Sequence, residues 1–84
     1  MITQSTKHIS SNLIEISTFN EDILYTIETI DIHTCKRNGT YKEYYPDGKL
    51  WFEVDYLNGK HHGSFKQYRP DGQLAYEANY INGR

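Results

Sequence analysis

Sliding the 84-residue chain along itself by 24 positions lays GTYKEYYPDGKLWFEVDYLNGK, Gly39 to Lys60, on GSFKQYRPDGQLAYEANYINGR, Gly63 to Arg84. Identical pairs include Gly39/Gly63, Lys42/Lys66, Tyr44/Tyr68, Pro46/Pro70, Asp47/Asp71, Gly48/Gly72, Leu50/Leu74, Glu53/Glu77, Tyr56/Tyr80, Asn58/Asn82 and Gly59/Gly83. A fixed period in this range marks a repeat architecture, in which each unit buries its apolar face against its neighbours. The chain is therefore expected to fold as copies of one local structure laid side by side.

Pro-Asp-Gly identifies that local structure. Proline presets φ near about −65° for the first corner, Asp tolerates the second, and Gly supplies a left-handed residue after it. Pro46-Asp47-Gly48 and Pro70-Asp71-Gly72 are thus predicted hairpin tips. Strands Thr40–Tyr45 and Lys49–Leu57 form one hairpin and Ser64–Arg69 and Gln73–Ile81 the next, with Asn58-Gly59 and Asn82-Gly83 closing each unit. Alternate residues on a strand share a face. Leu50, Phe52, Val54 and Tyr56, matched by Leu74, Tyr76, Ala78 and Tyr80, are the predicted core stripe. Trp51, Glu53 and Asp55 fall opposite, provided that no bulge shifts the register.

The N-terminal part has a different texture, since all six glycines and both prolines lie from Gly39 onward. Residues 1–11 are polar and expected to be flexible. Residues 12–38 are rich in Ile and Thr, which suit a pleated surface. Ile14 alternates with Ile16 and Ile30 with Ile32, predicting strands Leu13–Phe19 and Leu24–Cys35 about a turn at Asn20-Glu21-Asp22. The spacing of Ile23, Ile27 and Ile30 would also suit a helix. The same shift of 24 pairs Asp31 with Asp55, Ile32 with Tyr56 and Lys36 with Lys60, so this segment is expected to be a degenerate capping copy. The result is an all-β chain of about six strands in one domain, divided into a tail 1–11, a worn unit 12–38 and units 39–62 and 63–84.

Composition narrows function by exclusion. The net charge of −2 argues against nucleic acid as a partner, which normally requires a dominant basic field. Residues 1–35 hold Glu15, Glu21, Asp22, Glu28 and Asp31 against Lys7, whereas the remainder is mildly basic. One cysteine, Cys35, rules out an internal disulfide. No apolar run is long enough for a membrane-spanning helix and no hydrophobic leader opens the chain, so a cytoplasmic location is expected.

The pattern G-x-[YF]-K-x-Y-x-P-D-G-x-L-x-x-E-x-x-Y-x-N-G-[KR] resembles the MORN repeat (membrane occupation and recognition nexus), and is most similar to the bacterial variant found in YwqK-like antitoxins. The resemblance covers Gly39 to Arg84 well and about Leu13 to Asn38 poorly. It implies an elongated, single-layer antiparallel meander of stacked hairpins. It also implies a role in binding proteins or lipid headgroups, with no catalytic residues and no cofactor.

Candidate site residues fall into a few sets. Tyr41, Tyr44, Tyr45, Trp51 and Tyr68 offer rigid aromatic contact area for a protein partner. Lys36, Lys60 and Arg84 share one repeat position and Lys42 and Lys66 another, so stacking would align cations that could meet anionic headgroups. Glu53 and Glu77 recur because the repeat recurs, and are expected to tie neighbouring hairpins together. His33, Cys35, His61 and His62 lack the paired spacing of a structural metal site, and none is expected. The copy ends at Asn82-Gly83-Arg84, where another would begin, so Gln73–Ile81 is expected to be an edge strand open to a second copy or to a partner. The expected function is a non-enzymatic protein-interaction module, concretely an antitoxin or immunity protein covering a toxin. The alternative is a peripheral module for anionic phospholipid.

Overall fold

The computed structural model describes residues 1–84 as strands and turns without a helix. The strands are β1 (Ile2–His8), β2 (Leu13–Asn20), β3 (Ile23–Asp31), β4 (Lys36–Arg37), β5 (Gly39–Tyr44), β6 (Leu50–Leu57), β7 (Lys60–Tyr68) and β8 (Leu74–Tyr80). All pairings are antiparallel and the sheet runs β1-β2-β3-β5-β6-β7-β8, with β4 also beside β3. The all-β antiparallel meander of hairpins is therefore what forms.

The strand count is eight instead of about six, for two reasons. First, β4 and β5 are pieces of one strand interrupted at Asn38, whose N–H donates to the Thr29 carbonyl at 2.9 Å. Second, Ile2–His8, expected to be flexible, pairs with β2 from Ile2↔Asn20 to His8↔Ile14. All seven of its side chains are exposed, so main-chain hydrogen bonding to β2 orders it where burial would not. Strand β3 also ends earlier than the predicted Cys35. The Asp31 carboxylate accepts the N–H groups of His33 at 2.8 Å and Thr34 at 3.3 Å, which turns the chain, and Cys35 sits at φ 60°.

The Pro-Asp-Gly tips close as their chemistry dictates. Gly48 N–H donates to the Tyr45 carbonyl at 2.9 Å, and the Asp47 carboxylate accepts the Lys49 N–H at 2.9 Å. Gly72 to Arg69 and Gln73 to Asp71 repeat this at 2.8 and 3.0 Å. In the first hairpin Glu21 and Asp22 make the turn instead, both at positive φ, as a two-residue hairpin loop requires. Four residues (20–23) then lie between the paired Phe19 and Leu24, where five (45–49) lie between Tyr44 and Leu50. Four residues (32–35) fill the following joint, where Asn58-Gly59 fill the next. These offsets correct the alignment of the worn copy: Thr29, not Asp31, occupies the place of Asp55, each lying under the glycine of the next strand, while Lys36 and Lys60 remain equivalent.

A bulge in each hairpin rearranges the faces. Glu43 pairs with Phe52 but Tyr44 with Leu50, leaving Trp51 as the extra residue, and Ala75 and Tyr25 hold the same place in the third and first hairpins. The slip moves Leu50 and Leu74 out of the predicted stripe, onto the face of their partners Tyr44 and Tyr68. It also brings Trp51 to the stripe's own side, its ring 5.1 Å from Phe52. One face consequently carries Tyr41, Trp51, Phe52, Val54, Tyr56, Phe65, Tyr76 and Tyr80; the other carries Thr40, Lys42, Glu53, Asp55, Ser64, Lys66 and Glu77.

The sheet measures 37 × 34 × 16 Å, with a radius of gyration of 13.4 Å against about 12 Å for a compact globule of this length. A single layer has little interior, and Val54, 2% exposed, is the one buried hydrophobic residue. On the polar face, Asp55 accepts hydrogen bonds from Thr40 Oγ1 at 2.9 Å and from Ser64 Oγ at 3.3 Å. This contact needs Gly63, at φ 107°, because a Cβ there would lie 2.9 Å from the Asp55 carboxylate. Gly72, at φ 91°, has open space around it. We predict that Gly72→Ala costs about 1 kcal/mol through conformation alone and Gly63→Ala about 2–3 kcal/mol. Equal losses of Tm for the two variants would contradict this packing.

Candidate functional site

Cross-strand neighbours on one face of an antiparallel sheet stand close enough for rings to touch. On the aromatic face they do so over several strands. Tyr41 lies 5.9 Å from Phe52 and 6.4 Å, edge-on, from Tyr56. Phe52 stacks on Phe65 at 6.0 Å, and Phe65 meets Tyr76 and Tyr80 edge-on at 5.8 and 6.3 Å. Towards the tips, Tyr45 packs on Trp51 at 5.6 Å and its hydroxyl donates to the Tyr68 carbonyl at 2.8 Å. Lys49 Nζ donates to the Pro70 carbonyl at 3.3 Å, so the two Pro-Asp-Gly tips are clipped together.

A polar relay threads the joint end of the same face. Arg37 lies over the rings of Tyr41 and Tyr56 at 4.4 and 5.3 Å, and its Nε pairs with Glu28 at 3.1 Å. Its Nη1 donates to the Tyr56 hydroxyl at 3.3 Å, and that hydroxyl lies 3.2 Å from His61 Nε2. The His61 ring meets Tyr56 and Tyr80 edge-on. Tyr41 donates to Glu43 at 2.8 Å. Burial raises the Tyr41 pKa strongly, and the hydrogen bond to the Glu43 carboxylate raises it further.

The opposite face is ordered by charge. The registers place Lys7 opposite Glu15 and, after Thr29 and Ile27 on β3, run Lys42, Glu53, Lys66 and Glu77 across β5 to β8. Signs alternate from β1 to β2 and again at each step from β5 to β8, and opposite charges facing across strands contribute about 0.2–1 kcal/mol each. The Lys66–Glu77 pair closes to 3.9 Å. Glu53 thus sits between Lys42 and Lys66 of adjacent strands, and Glu77, on the last strand, faces Lys66 alone.

The structure divides the aromatic candidates. Tyr41, Tyr45 and Trp51 are on the ring-covered face, whereas Tyr44 and Tyr68 stand on the charged face opposite Leu50 and Leu74. The cation candidates divide too. A side chain at Gly59 would meet the stem of Lys36 at 3.6 Å, and Lys60 and Arg84 line one surface hollow with Asn79, Ile81 and Asn82, so these three cations follow the joint edge. Lys42 and Lys66 stand in the charge row. His61 fell outside the strands predicted from sequence, which end at Leu57 and resume at Ser64, but it belongs to β7 and to the aromatic face. Its parity with Phe65 was the available signal. Arg37 and Glu28 carried no signal, because their contact depends on how β3 and β4 pair.

A family model for the MORN repeat variant matches residues 37–58 and 62–82, together half of the chain. No curated protein matches it.

The raised Tyr41 pKa sets an alkaline limit. Its neutral form is favoured by folding, so the stabilisation is fully present below the unfolded value near 10 and is lost as pH rises towards the higher folded value. Thermal melting across alkaline pH is expected to show Tm falling from about pH 10 upward, and falling less in Tyr41→Phe. Coincident profiles for the two proteins would contradict the assignment.

Proposed function

The chain belongs to the MORN repeat variant family, whose repeats are protein- or membrane-interaction modules, and from that premise we propose that it is a non-enzymatic module presenting its aromatic face to a protein partner. The observation that carries this is the contrast between the faces. The charged face neutralises itself by cross-strand alternation, whereas Tyr41, Tyr45 and Trp51 lie on a face that no second layer covers. Large rings with few rotatable bonds are the side chains that anchor protein interfaces. More finely, the partner is a toxin in the same cytoplasm and the chain is its antitoxin, the acidic strands β2 and β3 meeting a basic toxin surface.

Anionic phospholipid is the second reading, favoured by the alignment of Lys36, Lys60 and Arg84 along the joint edge. The two readings make opposite demands on variants. Under the partner reading, Trp51→Ala with Tyr45→Ala weakens partner capture by about thirtyfold or more, and Lys36→Glu with Lys60→Glu leaves it unchanged. Flotation with anionic liposomes that is lost in the Lys36→Glu, Lys60→Glu protein would overturn it. Co-expression with a toxin encoded beside the gene tests the antitoxin role: rescue of growth is expected, and rescue unaffected by the aromatic substitutions would remove this face from the mechanism.

A further inference from the structure

Strands β3, β6 and β8 hold equivalent places as the second strands of the three bulged hairpins. Two of them are paired on their far side, and in the same register. On β3, Thr26 faces Glu43 and Ile27 faces Lys42. On β6, Phe52 faces Gln67, Glu53 faces Lys66 and Val54 faces Phe65. The incoming strand therefore reads aromatic, cationic, polar in both cases: Tyr41-Lys42-Glu43 and Phe65-Lys66-Gln67.

Strand β8 presents Tyr76, Glu77 and Ala78 at those places, and it is the edge of the sheet. Its apolar residues are uncovered where their equivalents are not: Leu74 and Tyr76 are 49% and 52% exposed, while Leu50 and Phe52 are half-buried beside β7. Glu77 is flanked by a lysine on one side only, so the alternating row ends on an unbalanced carboxylate. Ala78 stands where β6 has the larger Val54, facing Phe65 and lying between Tyr76 and Tyr80 on the aromatic face.

We propose that the outer edge of β8 is a docking site for an antiparallel strand of another polypeptide that carries an aromatic, a basic and a polar residue in that order, the basic side chain set opposite Glu77. Backbone pairing supplies affinity and the alternating charge row supplies register and selectivity. A second copy fits less well. Its free strand β1 offers Thr6-Lys7-His8, without a ring at the first place, and two β8 strands paired about Glu77 would oppose like charges. The outer edge of β8 is separated from Trp51 on β6 by β7, and the site does not depend on the partner proposed for the aromatic face.

The test uses the full chain and two labelled, end-capped peptides, GTYKEYY and its Lys→Glu counterpart GTYEEYY, followed by fluorescence anisotropy and backbone amide shifts. The wild-type protein is expected to prefer the lysine peptide by about tenfold, with shifts centred on Leu74–Tyr80. Glu77→Lys is expected to invert the preference, which a merely unfolded variant could not do. Glu77→Gln is expected to abolish it with the circular dichroism unchanged, and Trp51→Ala to leave both affinities as they were. Equal affinity for the two peptides, binding of neither, shifts centred on β1 or the aromatic face, concentration-dependent self-association that excludes the peptide, or loss of binding in Trp51→Ala would each overturn the proposal.

Discussion

A sheet without a second layer has to find its apolar contacts within one face, and that constraint governs this molecule. Aliphatic side chains standing on a single sheet would remain half in water. Rings reach sideways to their cross-strand neighbours, and edge-to-face contact buries area while leaving polar edges at the surface. The run Tyr41–Phe52–Phe65–Tyr80, with His61, Tyr56 and Tyr76 beside it, takes the place of a core. Val54 is buried because it lies at the centre of that run, flanked in register by Tyr41 and Phe65. The same rings that stabilise the fold are the surface it offers.

The bulge makes the arrangement work. Without the extra residue, strict alternation would put Trp51 on the charged face and Leu50 among the rings. With it, Trp51 joins Tyr45 and Phe52, and the tips lean together through the Tyr45 and Lys49 hydrogen bonds. Repeating the bulge at the same place in each hairpin keeps every face in phase, so that the aromatic run and the charge row each continue from the second hairpin into the third. Fold stability and surface chemistry are set by one register.

Much of this was legible in the chain itself. Pro-Asp-Gly fixed the tips and Asn-Gly the joints, because those residues have local conformational reasons for being there. The period of 24 placed Lys42 with Lys66 and Glu53 with Glu77, and the meander followed. The bulges were not legible, since an extra residue leaves no mark in an alternation that it merely shifts, and so Leu50 and Trp51 were assigned to each other's faces. Strand β1 was missed because backbone pairing orders it, and exposed Thr, Ser and Gln carry no record of that. In the first hairpin a shortened tip and a lengthened joint nearly cancel, which hid the displacement of Asp31 from the place of Asp55.

The central claim, that rings on one face hold a single-layer sheet together, is tested most directly by native-state amide hydrogen exchange. Protection should be greatest at Val54 and Phe65 on β6 and β7, where the ring contacts converge, and should fall towards β1 and β8 at the two edges. Greatest protection on β2 and β3, where the ring contacts are absent, or equal protection across all strands would show that backbone pairing carries the fold and that the aromatic face is only its ornament.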